Sequence, residues 1–193
     1  MIDLALFDKM KMKNLVFFSI LYLCFIGNSI AQSSVKKTTP SFPEQCVGKW
    51  KGIMYIYAYG NLRDSVQVEL SVQVLDSNAW TWKTDYRSEK MPVTKDYILR
   101  KDSKAVNTFL LDEGDGVILT NYLTGNKLYS NFETEGIFLT SSYELVNKRL
   151  IFEVTSSKKL NEAEESGVTN YSVDFVQRVV FQKKLRTKNY FSF

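Results

Sequence analysis

The sequence predicts an all-β domain, an antiparallel up-and-down β-barrel of about 8–10 strands. Three observations carry that reading. Short runs rich in Val, Tyr, Phe, Thr and Ile recur at hairpin spacing, and such residues suit a pleated, half-buried surface. In the cleanest run, residues 65–75, Val66, Val68, Leu70, Val72 and Val74 alternate with Gln67, Glu69, Ser71 and Gln73. No window carries an apolar stripe of helical period and length.

Taken in order, residues 1–31 read as a signal peptide. Lys9, Lys11 and Lys13 precede the apolar run 15–26, and Ser29 and Ala31 supply small residues for cleavage between Ala31 and Gln32. The apolar run is short for a membrane span, so none is expected after cleavage. Met1, Met10 and Met12 are all candidate starts. The expected location is secreted or periplasmic. Residues 32–44 (QSSVKKTTPSFPE) hold two of the three prolines and read as a flexible spacer.

The barrel domain is expected over residues 45–185. Strand runs fall at 50–59, 65–75, 80–87, 96–101, 106–111, 117–123, 128–132, 137–146, 150–155 and 171–181. Turn chemistry separates them at Gly60-Asn61, Asp76-Ser77-Asn78, 112–116 (DEGDG), Thr124-Gly125-Asn126 and Asn147-Lys148. The charged stretch 158–166 reads as a loop, and residues 186–193 as a basic, aromatic tail. A sandwich fits the same runs, but closure into a barrel leaves no sheet edge.

Composition removes most chemistry. The chain has no histidine, which excludes Ser-His-Asp triads, Cys-His dyads and nearly all zinc sites. Asp112 with Asp115, and Glu162 with Glu164 and Glu165, sit in turns or charged loops and read as solvated. No catalytic residue, metal or cofactor is expected. The formal charge is +4; residues 1–31 hold three of 25 basic and two of 21 acidic residues, so the remainder nets +3, interspersed. That is no nucleic-acid surface. Once Cys24 leaves with the leader, Cys46 is the lone thiol, so no intramolecular disulfide forms. The thiol reads as a small buried hydrophobe, while a homo-dimer through Cys46 or through exposed aromatics stays open.

Gly48-Lys49-Trp50, within VGKWKG, resembles the Gly-x-Trp motif that opens the first strand of lipocalins and related calycin barrels. The resemblance implies that Trp50 closes one end of the barrel and that a basic residue of the last strand packs across it. Arg178, in VQRVV, is the natural partner, so Gly48, Trp50 and Arg178 form the expected closure. Haem ligation through histidine is excluded, and the Arg-x-Tyr carboxylate clamp of the fatty-acid-binding branch is broken by Val180.

If Trp50 points inward, alternation sends Gly52, Met54, Ile56 and Ala58 inward and Tyr55, Tyr57 and Tyr59 outward. The expected ligand-lining residues are Met54, Ile56, Val68, Leu70, Val72, Trp80, Trp82 and Tyr86. The function implied is that of an exported, non-enzymatic, lipocalin-like protein binding a small apolar or amphipathic ligand. Two alternatives stay open. One is a secreted interaction module without a pocket, using the outward tyrosines and residues 137–146. The other is a small outer-membrane β-barrel, suggested by the leader, the strand count and the aromatic residues 190–193.

Overall fold

The computed structural model describes residues 40–160 and 167–184. The signal peptide, spacer residues 32–39, loop residues 161–166 and the tail 186–193 lie outside the described residues. A five-residue helix, α1 (Phe42–Cys46), leads into ten strands: β1 (Gly48–Ala58), β2 (Asn61–Asp76), β3 (Ala79–Arg87), β4 (Val93–Lys101), β5 (Thr108–Asp112), β6 (Ile118–Thr124), β7 (Lys127–Thr134), β8 (Ile137–Val146), β9 (Arg149–Lys158) and β10 (Phe175–Lys183). Every strand pairs antiparallel with its neighbour in sequence, and β1 pairs with β10 to close the barrel. The expected up-and-down barrel is the observed one.

Local chemistry explains several connections. Tyr59-Gly60, Glu135-Gly136 and Asn147-Lys148 each hold both residues at positive φ, as two-residue hairpin turns between right-twisted strands require. In the 112–116 loop, the Asp112 and Asp115 carboxylates accept hydrogen bonds from the Gly114 and Val117 amides. These acidic residues shape a turn. The last strand begins at Phe175, later than expected. Tyr171 makes only an isolated bridge to Lys159.

One domain boundary is corrected. Phe42 to Glu44 belong to the domain, not to a spacer. Glu44 accepts a hydrogen bond from the Ser41 amide at 2.6 Å, Pro43 sits in the first helical turn, and Phe42, Pro43 and Cys46 are buried. An apolar triplet in a Pro/Ser-rich stretch is anchored by burial, which a flexible tether lacks. Cys46 has no accessible surface, and burial pushes its thiol up to about 12. A homo-dimer through a Cys46 disulfide is therefore not available to the folded chain.

The barrel also has its apolar side inward. Trp50, Met54, Leu70, Val72, Trp82, Leu99, Leu128, Leu150 and Phe181 form part of one internal cluster. The outer face carries ion pairs, Lys51–Glu69, Arg87–Glu69, Lys127–Glu144 and Arg178–Glu153. A barrel in lipid shows the reverse pattern, so the outer-membrane alternative does not fit. Among the described residues no helix is long and apolar enough to cross a membrane.

Candidate functional site

The VGKWKG segment builds the closed end. Trp50 is 2% exposed, and its indole N–H donates to the Cys46 carbonyl at 2.7 Å, tying α1 across the barrel mouth. The cation over the ring is Lys183, with Nζ 5.0 Å from the centroid and directed to the Gln45 carbonyl at 3.3 Å. Register explains the choice: Trp50 faces Lys183 across the β1–β10 ladder, whereas Arg178 faces Tyr55. Arg178 points outward and pairs with Glu153 at 3.1 Å. The expected Trp50–Arg178 closure is thus corrected to Trp50–Lys183. Gly48 makes it fit, because at φ 131° a Cβ there would lie 2.8 Å from Lys183 Cε.

From that end the interior divides into two halves. Strand alternation turns Trp50, Leu70, Val72, Trp80, Leu99, Phe109, Leu128, Leu150 and Phe181 inward at the closed end, where all are buried. Towards the other end many inward residues keep accessible surface. Tyr86, Tyr97, Leu119, Leu139, Ser141, Tyr143, Phe152, Val154, Ser156 and Gln177 are all only partly buried. Each pairs in register with an inward residue of the next strand; Ser141 faces Val154, Leu139 faces Ser156 and Tyr143 faces Phe152. The inward face of the open half thus presents an apolar and aromatic wall with a few hydroxyl and amide groups and keeps accessible surface.

Its floor is an aromatic contact across the barrel. β8 and β3 lie on opposite walls of the ten-stranded ring. Tyr143 reaches over to Trp82, edge-on with centroids 5.2 Å apart, and stacks on Phe152 at 4.5 Å. Burial raises the Tyr143 hydroxyl well above the ordinary tyrosine range; Trp82 and Thr84 temper the rise. The Trp82 indole N–H is fully buried beside that hydroxyl, and the Trp80 N–H is also buried. Burial, then Glu113, raises Tyr97 and, less strongly, Tyr86. Tyr86 also lines a 390 Å³ recess formed with the 88–94 connection at the rim.

Of the expected lining residues, Met54, Val68, Leu70, Val72, Trp80 and Trp82 all point inward but are fully packed in the core. Only Ile56 and Tyr86 reach the open half. Tyr97, Tyr143 and Phe152 were not singled out by sequence. Residues 137–146 carry apolar side chains on both parities, so alternation alone could not choose a face. Pairing with Leu128 and Phe152 chooses it.

A second concavity, of 780 Å³, lies on the outer surface of β2, β1 and β10, lined by Ile53, Tyr55, Tyr57, Gln67, Val180 and Gln182 among others. It forms where the β1–β10 ladder is interrupted between the Lys51–Gln182 and Met54–Val179 pairs. Gly52 lets β10 approach there; a Cβ would sit 2.6 Å from Val179 Cγ2 and 2.9 Å from the Val180 carbonyl. The groove is open and rimmed by the Lys51–Glu69 and Arg178–Glu153 pairs.

The fold is that of a closed, lipocalin-like antiparallel barrel of ten strands. No protein-family model and no curated protein matches the sequence. Among solved structures, the S-type phycobiliprotein lyase CPES from Guillardia theta is similar, with 9% identity over 75% of this chain and 91% of that one, at a TM-score of 0.54. A protein of unknown function from the DUF3598 family of Nostoc punctiforme PCC 73102 matches at 14% identity, over 77% of this chain and 53% of that one, at a TM-score of 0.51. Rv2717c from M. tuberculosis matches at 13% identity over 72% and 94%, at a TM-score of 0.47. At these identities the likeness is one of fold.

Proposed function

We propose that this chain is an exported, non-enzymatic carrier that holds a small apolar or amphipathic molecule in the open half of its barrel. The observation that carries the reading is Tyr143. Its ring sits in the middle of the molecule, clamped by Trp82 and Phe152, yet it keeps accessible surface. A side chain so placed faces space inside the barrel, not bulk water. The wall beyond it is apolar with a few hydroxyls, which suits burial of a small molecule more than turnover. The lack of any histidine removes the commonest acid–base group from a reaction mechanism. Export rests on the leader at residues 1–31.

Native mass spectrometry of the chain purified without detergent, followed by organic extraction, tests the proposal. A stoichiometric adduct that extraction releases is expected. A bare mass that stays bare after incubation with apolar extracts of the source cells would contradict it.

One observation favours a second reading, an interaction module. Ile53 and Tyr55 are exposed by 48% and 44% in the outer concavity, a lining that would suit a partner surface. A pull-down whose capture is lost on Tyr55→Ala but kept on Tyr143→Leu would support that reading instead.

A further inference from the structure

The chemistry of the open half narrows its ligand beyond size and apolarity. This step rests on the carrier reading above. The floor is a fixed aromatic arrangement, Tyr143 stacked on Phe152 at an interplanar angle of 29° and set at 85° to Trp82. Tyr86 and Tyr97 flank it, both partly buried. Rings held this way present rigid π-faces, which complement a flat, polarizable surface better than a flexible alkyl chain.

Charge selects next. The partly buried inward side chains of this half, Ser141, Ser156, Gln177 and the tyrosines among them, are all uncharged. Charged groups stay at the rim. There the Lys95 ammonium is already seated 5.8 Å from the Tyr97 centroid, and Glu113 approaches the Tyr97 hydroxyl from the loop between β5 and β6. A carboxylate carried to the floor would lose its water without gaining a cation.

We infer that the open half takes a flat, conjugated, uncharged molecule stacked against Tyr143. Fatty-acid-like anions are the class it rejects.

The test titrates the full chain with two fluorescent probes, Nile red and parinaric acid. Nile red is flat, neutral and carries a carbonyl and a ring nitrogen; parinaric acid is a conjugated fatty acid. Nile red is expected to bind one to one with blue-shifted emission and at least about tenfold tighter than parinarate, the scale on which pocket contacts discriminate ligands. Tyr143→Leu and Tyr86→Leu should each weaken Nile red several-fold. Should Tyr143→Leu fail to fold by circular dichroism, Tyr86→Leu decides. Parinarate binding as tightly as Nile red overturns this inference and leaves the carrier reading standing. Binding of neither probe overturns both.

Discussion

Replacing Lys183 with Met tests the closed end most sharply, because the sequence reading and the structure assign different cations to Trp50. Met keeps an unbranched stem beside Gly48 and removes the charge. The loss is the attraction of an ammonium 5.0 Å from the ring centroid plus a 3.3 Å hydrogen bond to the Gln45 carbonyl. Lys183 keeps solvent access while the ring beneath is buried. A cation–π contact in that setting stabilises by about 1 kcal/mol, and the hydrogen bond adds a fraction, so a loss of about 1–2 kcal/mol is expected. Arg178→Met is the paired control. Its 3.1 Å bond to Glu153 joins side chains exposed by 50% and 41%, and such pairs contribute about 0–1 kcal/mol and are weakened by salt. Urea unfolding followed by tryptophan fluorescence reads both through the midpoint shift at unchanged slope. A larger loss from Arg178→Met than from Lys183→Met would refute the assignment.

Three further outcomes follow from the same geometry. Trp50→Phe preserves the ring in the core but leaves the Cys46 carbonyl without its donor, and should cost about 1–3 kcal/mol in the same urea experiment. Gly52→Ala forces a Cβ against Val179 and the Val180 carbonyl, and should cost about 1–3 kcal/mol and lower the thermal midpoint. Cys46 should resist alkylation in the native chain and react only on unfolding. Its folded value near 12 against an ordinary 9.0 means that the unfolded chain releases the proton first as pH rises. Stability from this group is therefore full below about pH 9 and is lost progressively between there and about pH 12. Alkylation as fast as in urea would contradict the burial.

The barrel was legible because its signal is local. Val66 to Val74 alternate without interruption, and hairpin turns such as Asn147-Lys148 separate the runs, so strand number and connectivity follow from neighbouring residues. The closing cation was not legible. Arg178 and Lys183 both lie on β10, and only the register against β1 decides which one meets Trp50. The site was half legible. Alternation identified the inward residues of β1 to β3, but not that those near Trp50 are packed solid while Tyr97, Tyr143 and Phe152 border open space. That difference depends on how opposite walls meet, as Trp82 meets Tyr143 across the whole ring. Phe42 was hidden because a spacer and a docked helix share Pro and Ser, and only burial of the apolar triplet separates them.

Xenon binding followed by methyl NMR probes the open half without a chosen ligand, since xenon enters apolar cavities whatever their natural ligand. Saturable shifts are expected at Leu139 and Val154 in the open half. None are expected at Leu70 and Leu150 in the packed end, or at Ile53 and Val180 on the outer groove. Shifts confined to Ile53 and Val180, or none at Leu139 and Val154, would contradict that expectation.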